Sequence, residues 1–257
     1  MLAIYKKELR SYFINPIGYV FVGVYLTLCA LLCAYTTVQS ASYSTTTYFT
    51  LMVFVIAVFI PILTMRSFAE ERKMKTEQLL LTSPVSVTSM VLGKFLAVLT
   101  VAAGSFLVSC INLLPLSISG IMARSGESYS SRHIGLVPSK VIGCIIGIVL
   151  ISCVFVAIGL FISSLTENQL AAAVMSIGVI MFMVVISFLN MIGNDADGTR
   201  LIANPFLRGV IDWISVLSRF SSFGAGKIAL SDVLYYVSLT SVFLLLCVRV
   251  YDKRRYS

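Results

Sequence analysis

The sequence predicts an all-α integral membrane protein with six transmembrane helices. Charged residues make up only 12% of the chain and hydrophobic residues 58%, whereas a soluble domain carries about 25% charged residues. Apolar runs without Asp, Glu, Lys or Arg recur along the chain, and about 20 apolar residues are enough to cross the bilayer core. The runs are continuously apolar and lack the two-residue alternation of a transmembrane β-strand. They predict a single transmembrane domain over residues 1–257, with spans at about 17–38, 48–65, 95–117, 141–162, 170–192 and 233–248.

The residues before the first span predict an amphipathic interfacial helix over 1–16. Its apolar face is formed by Leu2, Tyr5, Leu9 and Tyr12, which follow helical spacing. Lys6, Lys7 and Arg10 are available on the same helix to contact lipid headgroups at the membrane interface. The alternative is a helix that lies on the cytosolic surface of the protein.

The distribution of Lys and Arg predicts which segments face the cytoplasm. Most of the 19 basic residues fall before the first span, within 66–94 or after the last span, while the loop 39–47 has none. Basic residues concentrate in cytoplasmic loops, so both termini are expected in the cytoplasm, and segment 193–232 outside it. The net charge of +8 is then explained mostly by membrane topology and by attraction to anionic lipid headgroups. No segment outside the spans is large enough to build a nucleic-acid groove.

Segment 66–94 is a charged island between two apolar runs. Residues 66–75 are polar and are expected to continue the second span as a helix into water. Thr76 is a candidate N-cap of a short following helix, with Glu77 in the first turn, where the helix dipole favours an anion. A Thr-Ser-Pro sequence ends that helix, and Ser86 can cap the helix of the third span.

Three consecutive leucines, at positions 79–81, lie on this short cytoplasmic helix. One short helix cannot bury all three side chains by itself. They either pack against neighbouring spans or enter a groove on a soluble partner. The residue pattern alone leaves both interpretations open.

The chain shows no energy source or catalytic site of its own. The predicted spans carry no Asp, Glu, Lys or Arg, whereas a gradient-driven transporter usually has such a residue inside the bundle for its coupled ion, so a secondary transporter is the less favoured alternative. The sequence GAGKIAL at 224–230 has Ile228 in place of the magnesium-binding hydroxyl of a phosphate loop, and it predicts a glycine turn instead. All six cysteines lie within spans and imply no disulfide framework, and His133 is the only histidine, which disfavours a metal site.

An amphipathic stretch before the last span predicts a second interfacial or re-entrant helix. Its apolar stripe consists of Leu207, Val210, Ile211, Ile214, Leu217 and Phe220. Trp213 lies beside this stripe and is a typical anchor at the membrane interface. The stretch is expected to cover the outer end of the bundle.

Several runs carry a resemblance to a known family. They are FAEERKMKTEQLLLTSPVSVTSMVLGKFLA, LFISSLTENQLAAAV, VLSRFSSFGAGKIALSDVLYYVSLTSVFLLLCVR and the tail DKRRYS. Together they resemble ABC-2-type permeases of ABC transporters, in the branch associated with gliding motility and with maturation of the multicopper enzyme nitrous-oxide reductase. The resemblance extends in order over essentially the whole chain. It departs at Lys75, where that family usually has Gly.

The resemblance implies that segment 66–94 contains a coupling helix that seats in a cleft of a cytosolic ATPase subunit. Glu70, Glu71, Arg72 and Lys73 would border this joint, and Thr76, Glu77, Leu80 and Leu81 would form it. ATP and magnesium would then be bound by a dimer of the partner ATPase, and no cofactor by this chain. A second permease chain, identical or related, would complete the transporter.

The implied function is ATP-driven transport, in the direction of export, across the cytoplasmic (inner) membrane of a prokaryote. The alternative is a membrane subunit that passes an ATP-driven conformational change to an envelope partner without moving a small substrate. An extracytoplasmic subunit would be the partner expected for that alternative.

Overall fold

The computed structural model describes residues 1–14, 16–39, 45–74, 86–115, 138–192 and 215–256, and every regular element within these ranges is helical. The helices are α1 (Leu2–Ile14), α2 (Pro16–Cys33), α3 (Thr45–Lys73), α4 (Val87–Ser109), α5 (Pro138–Leu165), α6 (Gln169–Ile192), α7 (Val216–Gly224) and α8 (Leu230–Tyr256). A π-helical segment, Ala34–Gln39, follows α2, and a 3₁₀ turn, Cys110–Leu113, follows α4.

Six of these helices are long and apolar enough to cross a membrane, which confirms the prediction of an all-α protein with six spans. They are α2, α3, α4, α5, α6 and α8. Two of them extend well beyond the apolar runs in the sequence. Helix α3 continues past Met65 to Lys73, and α4 begins at Val87, eight residues before Phe95. Both extensions agree with the sequence, which predicts that the second span continues as a helix beyond Arg66 and that Ser86 caps the helix of the third span. Arg66 and Lys94 both have ion-pair partners within the described residues.

Helix α5 lies at the centre of the bundle. It is apolar on all sides, as expected for a helix surrounded by other helices, and it packs against α3, α4, α6, α7 and α8. Its contact with α3 is the most extensive in the described residues, and its contact with α8 comes next. Helices α2, α6 and α8 are more peripheral and keep most of their surface open, so α5 is the element against which the others are positioned.

Small residues on α5 allow its neighbours to approach closely. Gly143 and Gly147 form a Gly-x-x-x-Gly pair, the spacing that lets two membrane helices come into contact. A Cβ atom on Gly147 would lie 3.0 Å from the ring of Phe220 in α7. At the other end of α5, a Cβ on Gly159 would overlap the side chain of Thr64 in α3. These contacts hold α7 and α3 directly on the α5 backbone.

The N-terminal helix α1 packs against the bundle through the face that its periodicity predicts, except that Leu2 is exposed. The hydroxyl of Tyr12 donates a hydrogen bond to the carbonyl of Leu63 at 2.9 Å and lies 3.3 Å from the hydroxyl of Ser67. Burial raises the pKa of the Tyr12 phenol, so the hydroxyl remains a neutral donor. The apolar face of α1 therefore contacts protein, and its basic residues Lys6, Lys7 and Arg10 are exposed.

At the opposite end of the bundle, α7 and α8 are joined by the predicted glycine turn. Helix α7 ends at Gly224, and Gly226 has φ +77°, a conformation that favours glycine. The hydroxyl of Tyr236 donates to the carbonyl of Val216 at 2.7 Å. In the predicted apolar stripe, Leu217 and Phe220 are buried. Leu207, Val210, Ile211, Ile214 and the proposed interfacial anchor Trp213 lie outside the described residues.

Candidate functional site: the charged end of the bundle

Most elements of the bundle meet at one end, here called the charged end. It contains α1, the last two turns of α3, the start of α4, the turn between α5 and α6, and the last turns of α8. The segment 75–85, which the structure does not describe, connects α3 to α4 at this end. The charged end thus brings together the sequence regions in which Lys and Arg are concentrated. Six consecutive spans place every second connecting segment on the same side of a membrane, and the segments at the charged end follow that alternation.

Lys94 is the most deeply buried charged residue that the structure describes at this end, with 1% of its surface exposed. Its ammonium nitrogen lies 2.9 Å from a carboxylate oxygen of Glu71 and 3.2 Å from one of Glu8. It also donates to the carbonyl of Ser67 at 2.5 Å. A lysine ammonium has three N–H donors, so these three acceptors account for all of them. The ring of Phe68 lies 4.9 Å from the same nitrogen.

This arrangement follows from helical spacing on three separate elements. Ser67, Phe68 and Glu71 lie on one face of α3, and Glu8 lies one turn before Tyr12 on the inward face of α1. Burying a charge costs several kcal/mol unless it is paired and hydrogen-bonded. Two carboxylates and a carbonyl offset that cost for Lys94, so α1, α3 and α4 share one ionic centre.

Glu70 and Glu71 have different partners although they are adjacent in sequence. Glu70 forms a two-pronged ion pair with Arg66 one turn earlier in α3, at 2.8 and 2.9 Å. This geometry holds both side chains in a defined orientation. Glu71 points instead to Lys94, and the exposed Lys7 lies 3.9 Å from the same carboxylate. The end of α3 is thus stabilised within the helix by Glu70 and tied to its neighbours by Glu71.

A second group of contacts caps the end of α5. The last carbonyls of a helix have no partner within it, and positive charge is favourable there. Arg254 in α8 donates to the carbonyl of Ser164 at 2.8 Å, and Arg72 in α3 donates to the carbonyl of Leu165 at 3.3 Å. Arg72 also forms an ion pair with Glu167 at 2.8 Å. Helices α3 and α8 are therefore fixed to the same end of α5.

Ser163 adds a further link between α3 and α5. Its hydroxyl accepts from the backbone N–H groups of Phe68 and Ala69 at 3.3 and 3.2 Å and lies 3.4 Å from the carbonyl of Met65. The ring of Phe68 also packs against Tyr251 in α8, with 4.8 Å between the centroids. The last turns of α3 are thus held on every side that faces the bundle.

The structure places part of the predicted site. Glu70, Glu71, Arg72 and Lys73 form the last turn of α3, and Lys6, Lys7 and Arg10 are exposed on α1. Thr76, Glu77, Leu80 and Leu81 lie outside the described residues. The predicted N-cap of the third span is confirmed, because the hydroxyl of Ser86 accepts from the N–H of Ser89 at 3.4 Å. The expected helical continuation of the second span is confirmed as far as Lys73.

Sequence reasoning missed Lys94 and its partner Glu8 as parts of this site. The predicted third span begins only at residue 95, yet Lys94 lies within the apolar helix α4. The cap at Ser86 was the available signal. A helix that begins there carries position 94 about two turns inside an apolar segment, where a charge requires a partner. Ser163 and Arg254 gave no such signal, because their roles depend on contacts between distant parts of the chain.

In the part of the chain that the structure describes, no group of three or more His, Cys, Asp or Glu side chains could hold a metal ion. The contacts described at the charged end are ion pairs, hydrogen bonds and aromatic packing between helix ends. A family model described as ABC-2 family transporter protein matches residues 12–248. A comparison with curated proteins finds no match. The family match includes the end of α3, all of α4 and the turn between α5 and α6.

Proposed function

Because the chain belongs to the ABC-2 transporter family and is thus a membrane permease subunit of an ABC transporter, we propose that it exports a substrate with energy from a separate cytosolic ATPase. One observation carries the proposal. The two helices that bracket segment 75–85 are locked together at its base by the ion pair of Glu71 with Lys94. Because Glu71 and Lys94 hold the two flanking helices together, a force that a soluble partner applies to the segment would move both helices.

Segment 75–85 is the proposed joint with the ATPase. We propose that Thr76, Glu77, Leu80 and Leu81 seat in a cleft of the ATPase and that Glu70 to Lys73 border it. The form of α3 supports this role. It continues as a helix for eight residues beyond Met65, which is about 12 Å at 1.5 Å per residue. The extension links the end of the proposed joint to the turns of α3 that pack against α5.

The assembly follows from the same proposal. An ATPase dimer would bind ATP and magnesium, and this chain would bind neither. Two permease chains, identical or related, would enclose the substrate path between them. The branch associated with gliding motility and nitrous-oxide-reductase maturation is the assignment within the family that we favour, on the sequence runs that resemble it. The protein would lie in the cytoplasmic membrane of a prokaryote, with Lys6, Lys7, Arg10 and Trp213 at the lipid interface.

The sidedness of the charged end gives a test of this proposal. In a variant without native cysteines, single cysteines at Ser44, Ser128 and Ser221 are expected to react with a membrane-impermeant maleimide added to intact cells. Cysteines at Lys75 and Ser257 are expected to react only after the cells are opened. The reason is that basic segments are retained in the cytoplasm, and the charged end contains both the end of α3 and the end of α8. Labelling of position 75 in intact cells would contradict the proposed joint.

A further inference from the structure

Lys94 is a charged residue in a buried position, where an apolar residue would be enough for packing alone. It is 1% exposed, and its three partners come from two other helices, α1 and α3. We infer that Lys94 is a positioning residue that makes α1, α3 and α4 move as one unit when the ATPase moves segment 75–85. The inference rests on the proposed function and adds α1 to the moving parts of the permease.

The geometry at the ammonium group leaves little freedom. Glu8 and Glu71 reach the same nitrogen from different helices, at 3.2 and 2.9 Å, while the carbonyl of Ser67 takes the third donor. A displacement of either helix would lengthen one charged hydrogen bond in a buried site. Apolar contacts tolerate small sliding movements, whereas charged hydrogen bonds weaken steeply when their distance or angle changes. The three helices therefore keep one relative arrangement.

Stability alone does not account for a buried ion network. Apolar residues of similar volume often stabilise a fold equally well, and the spans around Lys94 are built from such residues. The network lies instead at the base of segment 75–85, because Glu71 precedes that segment by four residues and Lys94 lies two turns into α4. Its location indicates a role in holding the geometry of the joint.

Other charged residues lie next to the network formed by Lys94, Glu8 and Glu71, and their contacts show where it ends. Lys7 lies 3.9 Å from the Glu71 carboxylate and is largely exposed, so it can turn to solvent. Arg66 and Glu70 pair with each other in α3. Glu8 is thus the group through which α1 joins Lys94, and its charge can be changed to test whether α1 belongs to the unit.

The test uses exchanged charges in the purified complex of this chain with its ATPase subunit. Glu71→Lys combined with Lys94→Glu keeps the pair between α3 and α4 but places a second carboxylate against Glu8. Adding Glu8→Lys restores an attractive pair to α1. Two quantities are measured for each variant: the rate of ATP hydrolysis, and the maleimide labelling of a cysteine at the exposed Ser221, at the opposite end of the bundle. Labelling is compared without nucleotide and with Mg-ATP plus vanadate.

In the parent protein, nucleotide is expected to change the labelling rate at Ser221 by roughly fivefold or more, the lower range of coupling between two sites. The double exchange should lose this change and the triple exchange should restore it, each in preparations in which ATP hydrolysis shows that the ATPase subunit is bound. A double exchange that keeps the full nucleotide response would overturn the inference and leave the proposed function standing. Absence of any co-purified ATPase from the parent protein would instead refute the proposed function.

If the exchanged charges prevent assembly of the permease with its ATPase, an uncharged variant provides the test. Glu8→Gln, Glu71→Gln and Lys94→Met together remove the charges with little change in volume. Assembly with loss of the nucleotide response supports the inference, and assembly with the response intact overturns it. If none of the three variants assembles, the network serves folding alone and the inference is wrong.

Discussion

Replacement of Leu80 and Leu81 together by Asp is expected to release the ATPase subunit when the permease is purified in detergent. If the two leucines fill a cleft of the ATPase, each contributes in the manner of an interfacial hot spot, about 2 kcal/mol or more. An unpaired carboxylate in the same contact adds a further penalty. The measurement is the amount of ATPase retained per permease, together with the abundance of the permease in the membrane.

Lys75→Gly is the matched control for this change. It introduces the residue that similar permeases usually have at this position and should leave the ATPase bound. If the leucines pack on the spans of the permease itself, the Asp variant should instead misfold and disappear from the membrane. Normal membrane abundance with normal ATPase retention would contradict the coupling role of Leu80 and Leu81.

Replacement of Lys94 by Met is expected to destabilise the isolated permease by about 3–5 kcal/mol, because it removes the buried ammonium group that pairs with the Glu8 and Glu71 carboxylates. Glu8 and Glu71 are only 13% and 17% exposed, so water can replace little of the lost ammonium group. The measurement is the thermal unfolding transition of the permease in detergent, followed by size-exclusion chromatography after heating.

Two comparisons isolate the effect of the unpaired charges. Lys6→Met removes an exposed lysine from α1 and should leave the transition close to that of the parent protein. Adding Glu8→Gln and Glu71→Gln to Lys94→Met should recover much of the lost stability, since no charge then remains at the centre. An unchanged transition in Lys94→Met alone would show that the ammonium group is not needed to balance these carboxylates.

The number and type of spans could be predicted from the sequence because hydropathy depends on composition over a window, not on tertiary contacts. The cap at Ser86 and the turn at Gly226 were also predictable, since both depend on the chemistry of adjacent residues. The partner of Lys94 was not predictable in this way. Glu8 lies 86 positions away in the chain, and no local pattern connects the two residues.

The ends of α3 and α4 show why charge is a poor marker of helix boundaries. The charge-free runs end before Arg66 and begin after Lys94, whereas both residues lie inside continuous helices. Arg66 is balanced by Glu70 one turn away, a pairing visible in the sequence. Lys94 is balanced across helices, and that pairing becomes visible only when the fold is known. The surface that α1 packs against is likewise visible only in the fold, where its apolar face contacts the other helices.

This chain is a permease subunit of an ABC transporter, and we propose that its energy comes from a separate ATPase. The most direct measurement is ATP binding and hydrolysis by the purified chain, compared with its complex with the ATPase. We expect neither activity for the chain alone, because its sequence lacks the phosphate-loop motif. Hydrolysis by the complex should disappear when the ATPase subunit is inactivated. Specific, saturable ATP hydrolysis by the chain alone, after contaminating ATPases are removed, would contradict this proposal.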